Sequence, residues 1–207
     1  VTFTNKAAGE MRERIVHLLE GDARLLRGLT VTTFHALCAR LLRRYAETVK
    51  GLGIGADFTI YDSADQSALV KKVLEGLDLS SSHWPPRSVL SAISAAKNDL
   101  LDAAAFGARA GDFYAKQIAR IYEGYERALR AANAVDFDDL LMLTVKMLLT
   151  STEVRSDVQR RWAYLLIDEY QDTNHAQLEI ARLVAGEGQG GSGAALPAEL
   201  ADEPTGP

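Results

Sequence analysis

A single cysteine, Cys38, stands in the 207 residues, which excludes an internal disulfide or a four-thiolate metal site and makes a reducing, cytoplasmic setting the default. Long apolar runs are missing too. The stretch from Leu140 to Leu149 is interrupted by Lys146, so no membrane-spanning helix is expected. The opening VTFTNKAAGEM has neither a basic start nor a continuous apolar stretch, and no targeting segment is read there. Basic residues are not in excess: 23 Lys and Arg against 28 Asp and Glu give a net charge of -5. That balance offers no global pull toward nucleic acid or an anionic membrane, so any nucleic-acid contact must rest on local sites. His17, His35, His83 and His175 lack the paired spacing of metal ligands.

What is present is the composition of an ordinary soluble protein, with 47% hydrophobic and 25% charged residues, enough for one large domain or two small ones. Residues 186–207 differ from the rest. Five of the ten residues from Gly186 to Ala195 are glycine, and Leu196 and Leu200 are the only large apolar side chains. Such a segment cannot bury enough surface to offset its ordering entropy and is expected to be a disordered tail. It holds Glu187, Glu199, Asp202 and Glu203 without a basic residue, so most of the acidic excess lies there and the body is near neutral.

Residues 1–185 read as helices with a few short strands. Val1 to Thr4 resembles the end of a buried strand, with Thr4 or Asn5 capping a helix that carries Met11, Ile15, Leu18 and Leu19 at helical spacing. Leu29 to Thr33 repeats the strand pattern and leads into a helix from Phe34 to Tyr45 with Leu37, Leu41 and Leu42 on one face. Phe58 to Tyr61 forms a further strand, and Asp62 or Ser63 caps a helix from Ala64 to Leu77. Ser80 to Pro86 is a loop. Beyond it helices dominate, around Val89, Ile93 and Ala96, from Asp112 to Ala132, and from Phe137 onward. Ile118, Ile121, Tyr122, Tyr125 and Leu129 form a stripe read as a core face. Tyr164 to Ile167 is a continuous apolar run, expected to be a strand buried on both faces, and a helix follows over about Thr173 to Ala185. Strands separated by helical crossovers predict a parallel α/β sheet, with the all-helical middle as an inserted subdomain.

The chemistry concentrates in LLIDEYQD, Leu165 to Asp172. Ligands in open parallel sheets sit outside the carboxyl ends of the strands, which is where Asp168 and Glu169 would lie. An aspartate there can hold Mg²⁺ through water, and a neighbouring glutamate can polarise a water for attack on a γ-phosphate. Helix caps and surface turns use the same residue types, so the tetrad and its two acids do not decide the matter alone.

Five collinear segments do more: VTFTNKAAGEMRERI (Val1 to Ile15), TTFHALCARLLRR (Thr32 to Arg44), ISAAKNDLL (Ile93 to Leu101), VDFDDLL (Val135 to Leu141) and LLIDEYQDTNHAQ (Leu165 to Gln177). Together they resemble the UvrD/PcrA/Rep family of superfamily 1 DNA helicases over about residues 1 to 185. The resemblance implies a P-loop NTPase (RecA-like) parallel sheet from residues 1–87 and 133–185, with a mostly α-helical insert over 88–132. It implies ATP and Mg²⁺ as cofactors, single-stranded and duplex DNA as partners, and DNA-repair proteins as possible associates. Glu169 takes the water-activating role, Asp168 holds Mg²⁺, and Gln171 with Asp172 helps couple nucleotide to DNA. Phe3, Thr4 and Asn5 match the motif that contacts single-stranded DNA, His35 a backbone contact, and Phe137 the lining of a base pocket. A core role for Phe3 stays open, and Phe34 reads as core. Asp136, Asp138 and Asp139 read as helix caps bracing the DNA site rather than a metal cluster. Lys97, Lys116 and Arg120 of the insert could approach duplex DNA or lie on solvated helix faces.

The departures from the family matter equally. No phosphate loop of the form GxxxxGK(S/T) occurs in the 207 residues, so the lysine and backbone cradle for the β- and γ-phosphates are missing. The glycine-rich tail stands where the family continues with a further DNA motif and a second motor domain. These features imply a fragment of a 3′ to 5′ helicase, inactive alone. A non-enzymatic DNA-binding or partner module, and a piece of a helicase-nuclease subunit, are the alternatives.

Overall fold

A computed structural model describes residues 1–20 and 22–186; all but Gly186 of the segment read as a disordered tail lies outside the described residues. The architecture is mostly helical. The elements are α1 (Asn5–Leu18), α2 (Ala23–Leu26), α3 (Phe34–Tyr45), β1 (Thr59–Ile60), α4 (Ser63–Gly76), α5 (Pro86–Asn98), α6 (Ala103–Arg109), α7 (Phe113–Ala131), β2 (Ala134–Val135), α8 (Phe137–Thr150), α9 (Thr152–Arg161), a 3-10 turn (Tyr170–Asp172) and α10 (His175–Ala185).

The helices start where the chain supplies an oxygen for orphaned N–H groups. Thr4, Thr33, Asp112 and Ser151 each accept one such bond, and Asp62, Asp136 and Asn174 form reciprocal capping boxes. Pro86, whose fixed φ suits the first helical position, starts α5 instead.

Two cores result. One is built on Phe34, Leu37, Cys38, Leu41 and Leu42 of α3 against Leu140, Leu141 and Leu148 of α8 and Ile180 and Leu183 of α10. Burial pushes the Cys38 thiol up to about 12, so it acts as a small inert hydrophobe. The other packs Val70, Val73 and Leu74 of α4 and Val89 and Ile93 of α5 onto the stripe Ile118, Ile121, Tyr122, Tyr125 and Leu129 of α7. The chain leaves the first core at β1 and returns at β2, which pair in parallel with Thr59 opposite Ala134 and Ile60 opposite Val135. The helices α4 to α7 are therefore one excursion stitched shut at its base.

Helices α4 and α7 pack tightly at Gly124, where an added Cβ would lie 2.8 Å from Val73 Cγ1. Gly124→Ala gains about 1 kcal/mol of helix propensity, and overpacking a buried contact costs about 1–3 kcal/mol. Urea unfolding is expected to show a net destabilisation of about 1 kcal/mol; a stabilised variant would mean that α4 yields freely.

The strand expectations need correction. Val1–Thr4 and Leu29–Thr33 reduce to one isolated parallel bridge, Thr2 with Thr33. Residues 164–167 are extended but form no assigned strand, and they are not buried on both faces: Tyr164 is 91% and Leu166 84% exposed. Leu165 and Ile167 pack on the first core while the alternate side chains meet no covering element among the described residues. An apolar run discloses affinity for a core, not how many faces the fold covers.

Candidate nucleotide and DNA site

Three extended segments set the site. Thr2 N–H donates to Thr32 O at 3.1 Å and Phe34 N–H to Thr2 O at 3.3 Å, while Asp168 N–H donates to Val1 O at 2.9 Å. Residues 1–3 thus lie between 32–34 and 166–168, and the first two run parallel. Because α1 and α3 begin just past the paired Thr2 and Thr33, their N-termini emerge on the same edge. Asp168 ends the third segment beside them, and its Oδ2 accepts from Thr2 Oγ1 at 3.2 Å.

Glu169 follows in the left-handed region, at φ 49 and ψ 45, a conformation that costs a non-glycine residue about 1–3 kcal/mol. The chain turns sharply there into Tyr170–Asp172, leaving the Glu169 side chain exposed. Gln171 Nε2 donates to Glu169 Oε2 at 2.5 Å, so the two residues named for catalysis and coupling touch. Backbone bonds from Asp172 N–H to Glu169 O and from Thr173 N–H to Tyr170 O close the turn.

These side chains fit one half of a nucleotide site. Mg²⁺ commonly keeps several waters and takes one or two carboxylates plus substrate phosphates, which Asp168 and Glu169 can offer. Among the described residues no group of three or more His, Cys, Asp or Glu is placed to hold a metal ion. The phosphate half does not fit. An open cleft of about 350 Å³ is lined by Asp168 together with Met11, Ile15, Leu29, Trp162, Tyr164 and Leu166, and by no lysine or arginine among the described residues.

The aromatic residues form a second cluster. Phe3 is half-buried against Phe34, with ring centroids 5.9 Å apart, and Phe34 is core as expected. His35 meets Phe137 edge to face at 5.8 Å, and Phe137 remains 50% exposed, so its free face can receive another ring. Thr4 and Asn5 are exposed at the start of α1, where the Thr4 hydroxyl accepts from Ala7 N–H at 3.1 Å. Burial lowers the His35 pKa, with Asp138 opposing, so the ring is neutral near pH 7. Adding an oligonucleotide phosphate should raise that pKa in an NMR titration, and an unchanged value would remove His35 from the contact.

Lys97 corrects another expectation. It does not face DNA; it is completely buried. Its Nζ donates to Asp136 Oδ2 and Asp139 Oδ1, both at 2.8 Å, and lies 2.7 Å from Glu126 Oε1 as an ion pair. Tyr125 donates to Asp136 Oδ2 at 3.0 Å. Burial pushes the lysine pKa down, but Asp139, Asp136 and Glu126 outweigh it and hold the pKa well above its ordinary value. Arg130 adds a second cation, 3.1 Å from Asp139 Oδ2 and 2.9 Å from Glu126 Oε2. The surplus carboxylate charge is met by the N-terminus of α8, which Asp136 and Asp139 cap. The signal for this burial was present: Lys97 lies four residues after Ile93 and eight after Val89, on the buried stripe of α5. Lys116 and Arg120 are exposed.

The model of the UvrD/REP helicase N-terminal domain matches residues 1–190. The chain is 43% identical over 185 residues to an ATP-dependent DNA helicase PcrA of Leuconostoc citreum, covering 89% of this chain and 24% of that protein. It is 43% identical over 189 residues to an ATP-dependent DNA helicase UvrD1 of Mycobacterium tuberculosis, covering 90% and 24%. An ATP-dependent DNA helicase PcrA of Staphylococcus aureus is 40% identical over 185 residues, with 89% and 24% covered. The chain thus spans about a quarter of the length of these curated relatives. With that match over nearly all of its length, the chain belongs to the UvrD/REP helicase N-terminal domain family.

Proposed function

We propose that the chain is part of an ATP-dependent 3′ to 5′ DNA helicase, cytoplasmic, that translocates on single-stranded DNA and separates duplexes in repair or replication alongside DNA-repair proteins. Residues 1–87 and 133–185 supply part of a RecA-like P-loop motor domain, and 88–132 supply its helical insert, onto which α4 of the first segment packs. The observation that carries the reading is the gathering of two helix N-termini, the Asp168–Gln171 turn and the His35–Phe137 pair around the ends of three adjoining extended segments.

Asp168 is the Mg²⁺ carboxylate, and Glu169 the base that orients and deprotonates the attacking water, its carboxylate steered by Gln171. ATP bound with Mg²⁺ supplies the phosphoryl group whose hydrolysis drives movement. Phe137 stacks a base, Phe3 presents its uncovered edge, and Thr4, Asn5 and His35 contact the backbone at the helix N-termini.

Since the 207 residues hold no GxxxxGK(S/T) loop to cradle the β- and γ-phosphates, the chain alone is expected to bind single-stranded DNA without hydrolysing ATP. The experiment is an ATPase assay of the chain with and without DNA, beside an oligonucleotide-binding titration. DNA-stimulated hydrolysis that fell on Glu169→Gln would overturn the expected inactivity and support the base assignment. Failure to bind single-stranded DNA would sink the DNA reading.

A further inference from the structure

The exit of the carboxylate turn and the first turn of the Phe137 helix are far apart in sequence, yet one side chain touches both. Asn98, the last residue of α5, donates from Nδ2 to Asp138 Oδ1 at 2.9 Å and to its own helix at Ser94 O at 2.8 Å. Its Oδ1 accepts a hydrogen bond from Asn174 Nδ2.

The orientation of both amides follows from groups that can only accept. The backbone carbonyl of Ser94 has no proton to give, so Asn98 must turn its nitrogen toward Ser94 O and Asp138 and its oxygen toward Asn174. Asn174 must then offer its own nitrogen to Asn98. That leaves Asn174 Oδ1 for Gln177 N–H, the bond at 2.8 Å that caps α10. Each amide is fixed from two sides, and neither can flip without breaking a bond at both ends.

The two ends matter because of their neighbours. Asp138 adjoins Phe137 and its charge acts on the His35 ring. Asn174 stands two residues after Asp172, where the turn carrying Glu169 and Gln171 closes. At the same helix end Lys97 binds Asp136 and Asp139, so the end of α5 and the first turn of α8 are held together by adjacent residues on both sides. Asn98 extends that rigid corner to α10.

We propose that Asn98 is a positioning residue that ties the Asp168–Asp172 turn to the His35–Phe137 pair, so that displacement of one is carried to the other. The proposal rests on the assignment of that pair to DNA and of that turn to nucleotide. Asn98 itself touches neither ligand. Its role is to make the two faces move together, through Asp138 on one side and the α10 cap on the other.

Amide NMR of the whole chain titrated with an oligothymidylate tests this, using two variants. Asn98→Ala removes both bonds. Asn174→Ser keeps a capping oxygen for Gln177 N–H but removes the donor to Asn98, so α10 stays capped and only the tie is lost. In the wild type, DNA should shift the signals of His35 and Phe137 together with those of Tyr170 to Gln177. In both variants the first set should still shift and the second should not, with DNA affinity reduced by no more than a few fold. A purely structural role would instead disturb both sets alike before DNA is added.

If the Tyr170 to Gln177 signals move in the variants as in the wild type, or stay still in the wild type while His35 and Phe137 respond, the tie does not exist. If DNA moves neither set, the DNA reading has failed and the proposal falls with it. If Asn98→Ala does not fold, Asn174→Ser alone decides between these outcomes.

Discussion

Lys97→Met is expected to destabilise the chain by about 3–5 kcal/mol, because removing one partner leaves uncompensated buried charge. At about 2–4 °C per kcal/mol for a chain of this size, the melting temperature should fall by on the order of 10 °C. Methionine matches the stem's volume, so the loss is electrostatic rather than a cavity. Glu126 and Asp139 would then keep Arg130, while Asp136 would lose the ammonium that pairs with it. The deficit should depend on pH. Burial and the neighbouring Asp139 already push Asp136 up to about 6 against the pull of Lys97, and losing Lys97 raises it further. A carboxyl whose folded pKa lies above its unfolded value contributes stability that is full below the unfolded value, about 4. That contribution disappears as pH rises through the folded pKa. The variant should therefore recover part of its deficit between pH 7 and pH 5. Urea unfolding at both pH values measures this, and an equal deficit at each would show that charge burial is not the cause.

The second large effect concerns DNA. Phe137→Ala should weaken single-stranded DNA binding by about 1–3 kcal/mol, the worth of one base stacked on an aromatic ring, or roughly 5- to 150-fold in Kd. Stability should change little because the ring is half exposed and packs edge-on against His35. The near-neutral body predicts a shallow salt dependence, since few phosphates are neutralised. Fluorescence anisotropy with a labelled oligothymidylate at two salt concentrations checks both points. Unchanged affinity in a folded Phe137→Ala variant would move the base contact elsewhere. Phe3→Ala is the less clean companion, because Phe3 also packs on the core ring of Phe34.

Local pattern was enough for most helices. The stripe on α7, the apolar face of α3 and the caps at Asp62 and Asp136 are consequences of a 3.6-residue period and of which side chains satisfy free N–H groups. Helix α9 escaped notice because only Val154 and Val158 of its ten residues are buried, too few to write a period. The two-residue β2 escaped for a different reason: Ala134–Val135 has strand character only through its pairing with Thr59–Ile60. Tyr164 to Ile167 shows the converse error, apolar enough for a buried strand yet exposed at every second residue.

The candidate site divides the same way. The amino-acid sequence by itself determined the family and singled out the residues proposed for nucleotide and DNA, Asp168 and Glu169 among them, since motif identity and spacing are one-dimensional facts. The missing phosphate loop is equally a property of the sequence. Only the tertiary structure decided which partners those residues meet: that Lys97 is buried among three carboxylates rather than free for DNA, and that Gln171 holds Glu169. It alone brought Asn98 between Asp138 and Asn174. The reason is physical. A side chain's charge and shape are fixed by its identity, but its desolvation and its hydrogen-bond partners are set by contacts between residues far apart in the chain, which no local period records.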